Sequence, residues 1–495
     1  MNEKEYHKIV RALEETHRNL ALLTLNQSIG ASVNKKFSDI LTEDSILLRP
    51  SLINDLRMMA DSSADPEEQD RIERVLISCM DLAIEAENSS LSDMLRFYLE
   101  RGRMVVQGQK IPAMDIVPWL QKQDVFELRE EMRNEIGIFS RAIINPILLS
   151  ILDLTIRKVT EQFGFENYAR YTENKRSCSF EDWQRTFLSF LSNTDDEYYK
   201  RTRPWAEERL GRPLEDLNRC HALRLLRIDT FDKYFSKSSL IEIIQKTFAG
   251  LGLDLNRRKD IIIDEKADPR KNPNAICVPI ELPGKIHVII KPIGGLIDLE
   301  ALLHEMGHAF FLSGFSVDAP VEYRRLYRTA ALDESLAFLF TQLLENPLWL
   351  MDVAKLKKSD AEKLSAVSRT KRLLLIRRHI GKFMAEKELF QYGNFKDSGF
   401  YCNWLNRSTG FNYEPDGYLI DMDPDFYSAE YVWAWAGAEI LREYLENSFG
   451  SDWFQSSEAG SFLGKISLEG RKNSLEQALS KFCGATLSMP QFSAN

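Results

Sequence analysis

Through most of the chain, apolar residues recur at three- and four-residue spacing, the periodicity of amphipathic helices. The pattern predicts helices over residues 6–25, 66–84, 91–100, 126–163, 180–191 and 240–251. Residues 62–66 and 193–204 interrupt it with polar residues and proline, and read as loops. The most apolar stretch, 142–156, carries Asp153 and is too short for a membrane span. One region differs: 261–263, 275–280 and 285–290 are short apolar runs set off by Asp, Pro, Asn and Gly, the signature of strands in a small sheet. Leu282-Pro283-Gly284-Lys285 suggests a hairpin between the last two. Pro292-Ile293-Gly294-Gly295 then frees the chain to turn, and the next helix is expected to start at Asp298 as its N-cap. The expectation is a mainly α protein with one small sheet directly before an apolar helix.

A chain of 495 residues is long enough for two lobes and a large core; the expected lobes are 1–235 and 236–495. The net charge of −10, with no run of Lys or Arg, argues against a nucleic-acid partner. The N-terminus is charged from its first residues and lacks the apolar stretch of a secretory signal. Six cysteines (Cys79, Cys178, Cys220, Cys277, Cys402, Cys483) lie far apart with no CxxC pair. That spacing fits reduced thiols better than a disulfide framework or a thiolate zinc site. A cytoplasmic location without a membrane partner is expected.

The chemistry concentrates in the apolar helix. His304-Glu305-Met306-Gly307-His308 sets two histidines four residues apart, about 40° apart on one helical face, so both imidazoles reach one Zn²⁺. Glu305, one step round, is placed to hold a water and accept its proton. Leu302, Leu303, Met306, Phe310 and Phe311 make the helix apolar and hence buried, and a buried His-Glu-x-x-His needs a metal or other partners. Gly307 in mid-helix costs about 1 kcal/mol against Ala, which points to another backbone packed close to it.

A catalytic centre needs a third ligand. The extended three-histidine pattern is excluded, because Phe311 and Gly314 occupy its positions; His7, His17, His221, His287 and His379 stand at no local ligand spacing. A carboxylate remains. Residues 330–344 predict a helix carrying Asp333-Glu334 among apolar neighbours. An acid so placed is costly unless it binds metal or pairs with a cation such as Arg324 or Arg328. Both faces of this helix are apolar, so periodicity does not choose between the two acids. Elsewhere, His221 reads as a packed or capping histidine, His287 as a strand residue that could face a groove, and Lys371-Arg372 and Arg377-Arg378 as a solvated helix face.

With these residues in place, the sequence resembles the thimet oligopeptidase and oligoendopeptidase F family of zinc metallopeptidases over roughly residues 240–490. Phe426-Tyr427-Ser428-Ala429-Glu430-Tyr431-Val432-Trp433-Ala434-Trp435-Ala436 is similar to that family's tyrosine-rich helix facing the zinc. Residues 271–280 resemble its groove-lining strand, and 460–484 its closing helices. The resemblance implies a two-lobed, mainly α-helical fold with a small β-sheet beside the zinc helix and a deep substrate channel. It implies one Zn²⁺ per chain held by His304, His308 and Glu334, selecting Glu334 over Asp333 at 26 residues past His308 (334 − 308). Asp333 is then a candidate for orienting a histidine. Glu305 would activate water, and Tyr431 would donate to the tetrahedral oxyanion, with Tyr427 a second candidate. Short peptides cleaved internally are the implied substrates, added to the strand through backbone hydrogen bonds. A metallocarboxypeptidase of related fold and a catalytically impaired peptide-binding homologue are the alternatives. The sequence departs from the family at one point: no histidine follows His379, so the family's histidine shortly before the tyrosine helix has no counterpart. Met422 or Asp425 occupies its neighbourhood, and Trp433 and Trp435 stand where tyrosines are common.

Overall fold

The computed structural model describes residues 1–31, 36–43 and 46–492. Helix takes up 70% of it and strand 5%, as the periodicity predicts. The first half opens with α1 (Glu3–Ser28) and α2 (Pro66–Arg101). Asp65 caps α2 by accepting from the Glu67 amide at 3.0 Å, with Pro66 in the first turn. A hairpin of β1 (Arg103–Val106) and β2 (Gln109–Pro112) follows. Each strand has four residues, too few for alternation to stand out in the sequence. Gln107 and Gly108 turn the chain with φ of +47° and +79°, the left-handed values of a tight hairpin.

The stretch 142–156 belongs to a longer helical run, Phe126–Gln162. Its 37 residues are long and apolar enough to cross a membrane by length and composition alone, so the expectation that this stretch is too short does not hold. Its Asn145–Arg157 segment lies along α2, where Asn88 donates to Thr155 at 2.8 Å.

Next come α3 (Tyr168–Arg176) and α4 (Phe180–Leu210). The expected loop at 193–204 lies inside α4, Pro204 included. Two of its polar residues are answered from within the protein: the buried Arg377 donates to Thr194 Oγ1 and to the nearby Leu191 O, both at 2.8 Å, and pairs with Asp195.

The second half contains the predicted sheet of β3 (Ile261–Asp264), β4 (Ile276–Glu281) and β5 (Lys285–Ile289). Central β5 runs parallel to β3 and antiparallel to β4. On one face Val278, Ile280 and Ile289 pack against Ala21, Leu22 and Leu25 of α1. On the other, Ile286 and Val288 join the main core. The chain then enters α5 (Leu296–Ser313), two residues earlier than expected. Asp298 caps the preceding turn instead, accepting from the Ile293 and Gly294 amides at 2.6 Å.

The remaining frame is α6 (Ala331–Thr341), α7 (Lys358–Tyr392) and α8 (Tyr427–Phe449). α6 is held between α5 and α8. A Cβ on Gly307 would lie 2.6 Å from Ala337 Cα and 3.0 Å from Leu336 O, so α5 and α6 meet backbone to backbone, as the mid-helix glycine implies. The cationic stretch of α7 is a buried face, contrary to the solvated face expected. Arg372 donates to Glu345 at 2.7 and 2.9 Å and to Glu439 at 2.9 Å, while Lys371 pairs with Glu300. Carboxylates from other elements replace the water these cations would otherwise need. All six cysteines are unpaired. His221 is a capping residue, its Nδ1 accepting from the Asn218 amide at 3.2 Å while its ring stacks on Phe126.

Candidate metal centre

α5 presents His304 and His308 on one face, and α6, pressed against it at Gly307, brings Glu334 opposite them. Glu334 Oε2 lies 3.3 Å from His304 Nε2 and 3.6 Å from His308 Nε2. One donor atom from each residue falls within 4.8 Å of the other two. The histidine side chains keep 19% and 16% exposure and the glutamate 6%. Glu334 Oε2 is sealed from solvent and has no hydrogen-bond partner among the described residues. A buried carboxylate oxygen without a partner is costly, and a cation between it and the two imidazoles removes that cost. The residues therefore fit a Zn²⁺ held by two His and one carboxylate, with a fourth position left open.

The three groups are also tied together by charge. Burial by itself would raise the Glu334 carboxyl, but the His308 and His304 imidazoles and the Tyr427 hydroxyl outweigh it and hold the group at about 2. Burial opposes a charge on His304, and Glu334 overcomes it, lifting the imidazole above its ordinary value.

Glu334 Oε1 accepts from the Tyr427 hydroxyl at 2.6 Å. Tyr427 opens α8, and the backbone just before it is unusual: Asp425 and Phe426 are consecutive non-glycine residues with φ of +60° and +53°. Left-handed conformation costs about 1–2 kcal/mol per L-residue, so their surroundings must hold them. Lys175 Nζ donates to Asp425 at 2.7 Å and to Asp81 at 2.8 Å. Arg176 reaches Asp425 at 3.2 Å and pairs with Glu430, which also accepts from Thr329 at 2.6 Å. On the other flank the buried Glu386 accepts from the Asp423 amide at 2.8 Å and from Ser428 at 2.6 Å. The end of α3 and the C-terminal part of α7 thus fix where α8 starts.

Asp333 points away from the histidines, correcting the expectation that it orients one of them. It is bound by Arg471, whose Nε and Nη2 lie 2.9 and 2.5 Å from Oδ2. That cation is also neither Arg324 nor Arg328. Nothing near Arg471 in the sequence signals the pairing. Glu305 forms no hydrogen bond or ion pair among the described residues. Edge strand β4 runs beside it: burial, and then the Glu305 and Asp333 carboxylates, push the Cys277 thiol well above its ordinary value. Part of this edge is already occupied, because Arg325 donates to Pro279 O at 2.9 Å and to Ile280 O. His287 stays outside the metal-ligand group.

Tyr431 lies one turn beyond Tyr427 on α8, their rings 5.0 Å apart. Its ring also packs on Phe338 at 5.5 Å, and Phe338 on His304 at 5.0 Å. The Tyr431 hydroxyl makes no hydrogen bond among the described residues. Burial, followed by the Glu334 carboxylate, holds its phenol above the ordinary value. Trp435 stacks on Phe338 at 4.4 Å, whereas Trp433 packs on the far side against Trp183 and Phe187. Tyr327, which the sequence did not single out, is 51% exposed, yet burial raises its phenol. Glu85 of α2 is likewise exposed, yet burial and then Asp81 raise its carboxyl to about 7.

No protein-family model and no curated protein matches the sequence. Solved structures match the fold. A Bacillus anthracis strain Ames protein described as an oligoendopeptidase F aligns over 91% of this chain and 81% of its own, with TM-score 0.64 and 14% identity. PZ peptidase A, solved with an inhibitor, aligns over 91% and 83%, with TM-score 0.69 and 15% identity. The chain has a peptidase fold. The M32 carboxypeptidase of Deinococcus radiodurans R1 shares it over 98% of this chain and 96% of that one, with TM-score 0.59 and 14% identity. At such identities the likeness is one of architecture: the peptidase fold includes the helical frame and the small sheet expected here.

Proposed function

We propose that this protein is a zinc-dependent metallopeptidase that cleaves short peptides internally. The observation that carries the reading is the buried Oε2 of Glu334, without a hydrogen-bond partner and set between His304 and His308, on a fold shared with peptidases. Held by those three residues, one Zn²⁺ per chain would supply a Lewis acid and lower the pKa of a water to about 7. Glu305, unpaired and beside the two ligands, accepts the proton of the attacking water and passes it to the leaving amine. Tyr431, with its hydroxyl uncommitted, donates to the oxyanion. Tyr427 is already committed to Glu334 and orients that carboxylate, a different role from the oxyanion donor that the sequence suggests. The reading includes a substrate channel between residues 1–235 and 236–495, too narrow for folded proteins. The reading includes no nucleic-acid or membrane partner. Six unpaired thiols support a cytoplasmic setting.

The test is a library of quenched-fluorescent peptides assayed with the zinc-loaded wild type and Glu305→Gln. Cleavage by the wild type and its loss in the variant are expected; equal rates in both would refute the mechanism. The near-complete mutual coverage with the M32 carboxypeptidase favours a second reading, release of C-terminal residues. Peptides with amidated C-termini separate the two, since only an endopeptidase continues to cleave them.

A further inference from the structure

We infer that His379, reaching the site from α7, is a substrate-binding residue that accepts a backbone N–H of the bound peptide. This rests on the peptidase reading above and assigns a contact within that site. His379 Nδ1 lies 2.8 Å from Leu375 O. A carbonyl only accepts, so Nδ1 carries the proton, and in the neutral ring Nε2 is an acceptor. Burial, with the Lys382 and Arg378 cations nearby, holds the ring's pKa well below the ordinary value, so the neutral tautomer is the one present at neutral pH. Nε2 has no hydrogen bond among the described residues, and it is not one of the unpartnered polar atoms sealed from solvent. It is an open lone pair.

Its position gives that lone pair a use. The ring stands edge-on to Tyr431 at 5.2 Å and 75°, and to Trp435 at 5.1 Å and 69°. Through Phe338 this group is continuous with His304. Tyr431 offers an uncommitted donor and His379 an uncommitted acceptor, side by side and one ring, Phe338, away from His304. A peptide backbone presents the complement, an accepting C=O and a donating N–H. Aromatic packing alone would account for the ring contacts, but it requires neither the fixed tautomer nor the open nitrogen.

The test measures binding of a fluorescein-labelled peptide, and of analogues each methylated at one backbone nitrogen, to the full-length zinc-loaded Glu305→Gln protein. Adding His379→Phe keeps an aromatic ring and removes the acceptor, while His379→Gln restores one. The expected result is binding about 3- to 10-fold weaker with Phe, recovered with Gln, at unchanged zinc content. One methylated analogue should bind weakly to the protein with His379 intact and suffer no further loss when His379→Phe is added. Binding independent of His379, or methylation losses that persist undiminished in His379→Phe, would overturn the inference. Turnover by the wild type is scored separately: the His379 pattern without cleavage sinks the peptidase reading alone, whereas cleavage without the pattern sinks this inference alone.

Discussion

Replacing Tyr427 by Phe removes one oxygen and leaves the ring to fill the same space. The lost hydroxyl is the partner of Glu334 Oε1 at 2.6 Å, and Glu334 is 5% exposed, so water cannot readily take its place. A hydrogen bond to a charged group is worth about 1.5–3 kcal/mol. Removing the group that supports a metal ligand typically weakens binding about 10- to 100-fold, which is about 1.4–2.7 kcal/mol. The two estimates coincide, and the expected zinc dissociation constant rises about 10- to 100-fold. Competition against a chromophoric chelator measures it, with thermal unfolding of the metal-free protein as a control for general damage. Tyr431→Phe is the companion variant, because its hydroxyl does not touch Glu334; its zinc affinity should stay at the wild-type value while its turnover falls. Unchanged zinc affinity in Tyr427→Phe, or the same loss in Tyr431→Phe, would refute the assignment of Tyr427 as the residue that orients Glu334.

Glu305→Gln should keep stoichiometric zinc while turnover falls about 10²- to 10⁴-fold; metal lost together with activity would count against its role as base. Gly307→Ala places a Cβ 2.6 Å from Ala337 Cα and should destabilise the protein by about 1–3 kcal/mol, with zinc affinity falling in step as α5 and α6 part. Arg176→Met strands the buried Glu430 and should cost about 3–5 kcal/mol in urea unfolding; an effect below about 1 kcal/mol would place the pair among exposed ones. Burial, then Arg129, Arg133 and Arg212, lower the His221 imidazole from 6.5 to about 3. The unfolded chain therefore binds a proton there that the folded chain refuses, and stability drains away as pH falls from 6.5 towards 3. His221→Gln should flatten that limb of the stability–pH curve, and an unaltered slope would contradict the linkage.

What the sequence made legible was local. His304, Glu305 and His308 lie within two turns of one helix, so their spacing alone carries the geometry. Gly307 announced a close backbone because a glycine in mid-helix has few other uses. Asp333 and Glu334 could not be separated by pattern, since α6 is buried on every side and the choice is made by Arg471, 138 residues away. The same blindness explains two misread segments at once. Residues 193–204 looked like a loop, and the cations of α7 looked solvated, because polar side chains ordinarily seek water. Here Arg377 and the Thr194–Asp195 pair satisfy one another across 183 and 182 residues. His379 likewise carries no ligand spacing in the sequence; only the packing of α7 on α8 sets it beside Tyr431.

The clasp that sets the start of α8 also imposes an order in time. Lys175 and Arg176 leave the ribosome about 250 residues before Asp425 exists, which at 5–20 residues per second is roughly 12–50 s. Throughout that interval Lys175 has only Asp81 of its two carboxylates, and Arg176 has neither Asp425 nor Glu430, so burying the last turn of α3 would leave Arg176 an unpaired charge. The first half is therefore expected to wait with this corner open and hydrated, and to close it only once Asp425 and Glu430 arrive. A ribosome stalled before residue 425 should leave the Arg176 peptide bond accessible to trypsin, and one released after residue 449 should not.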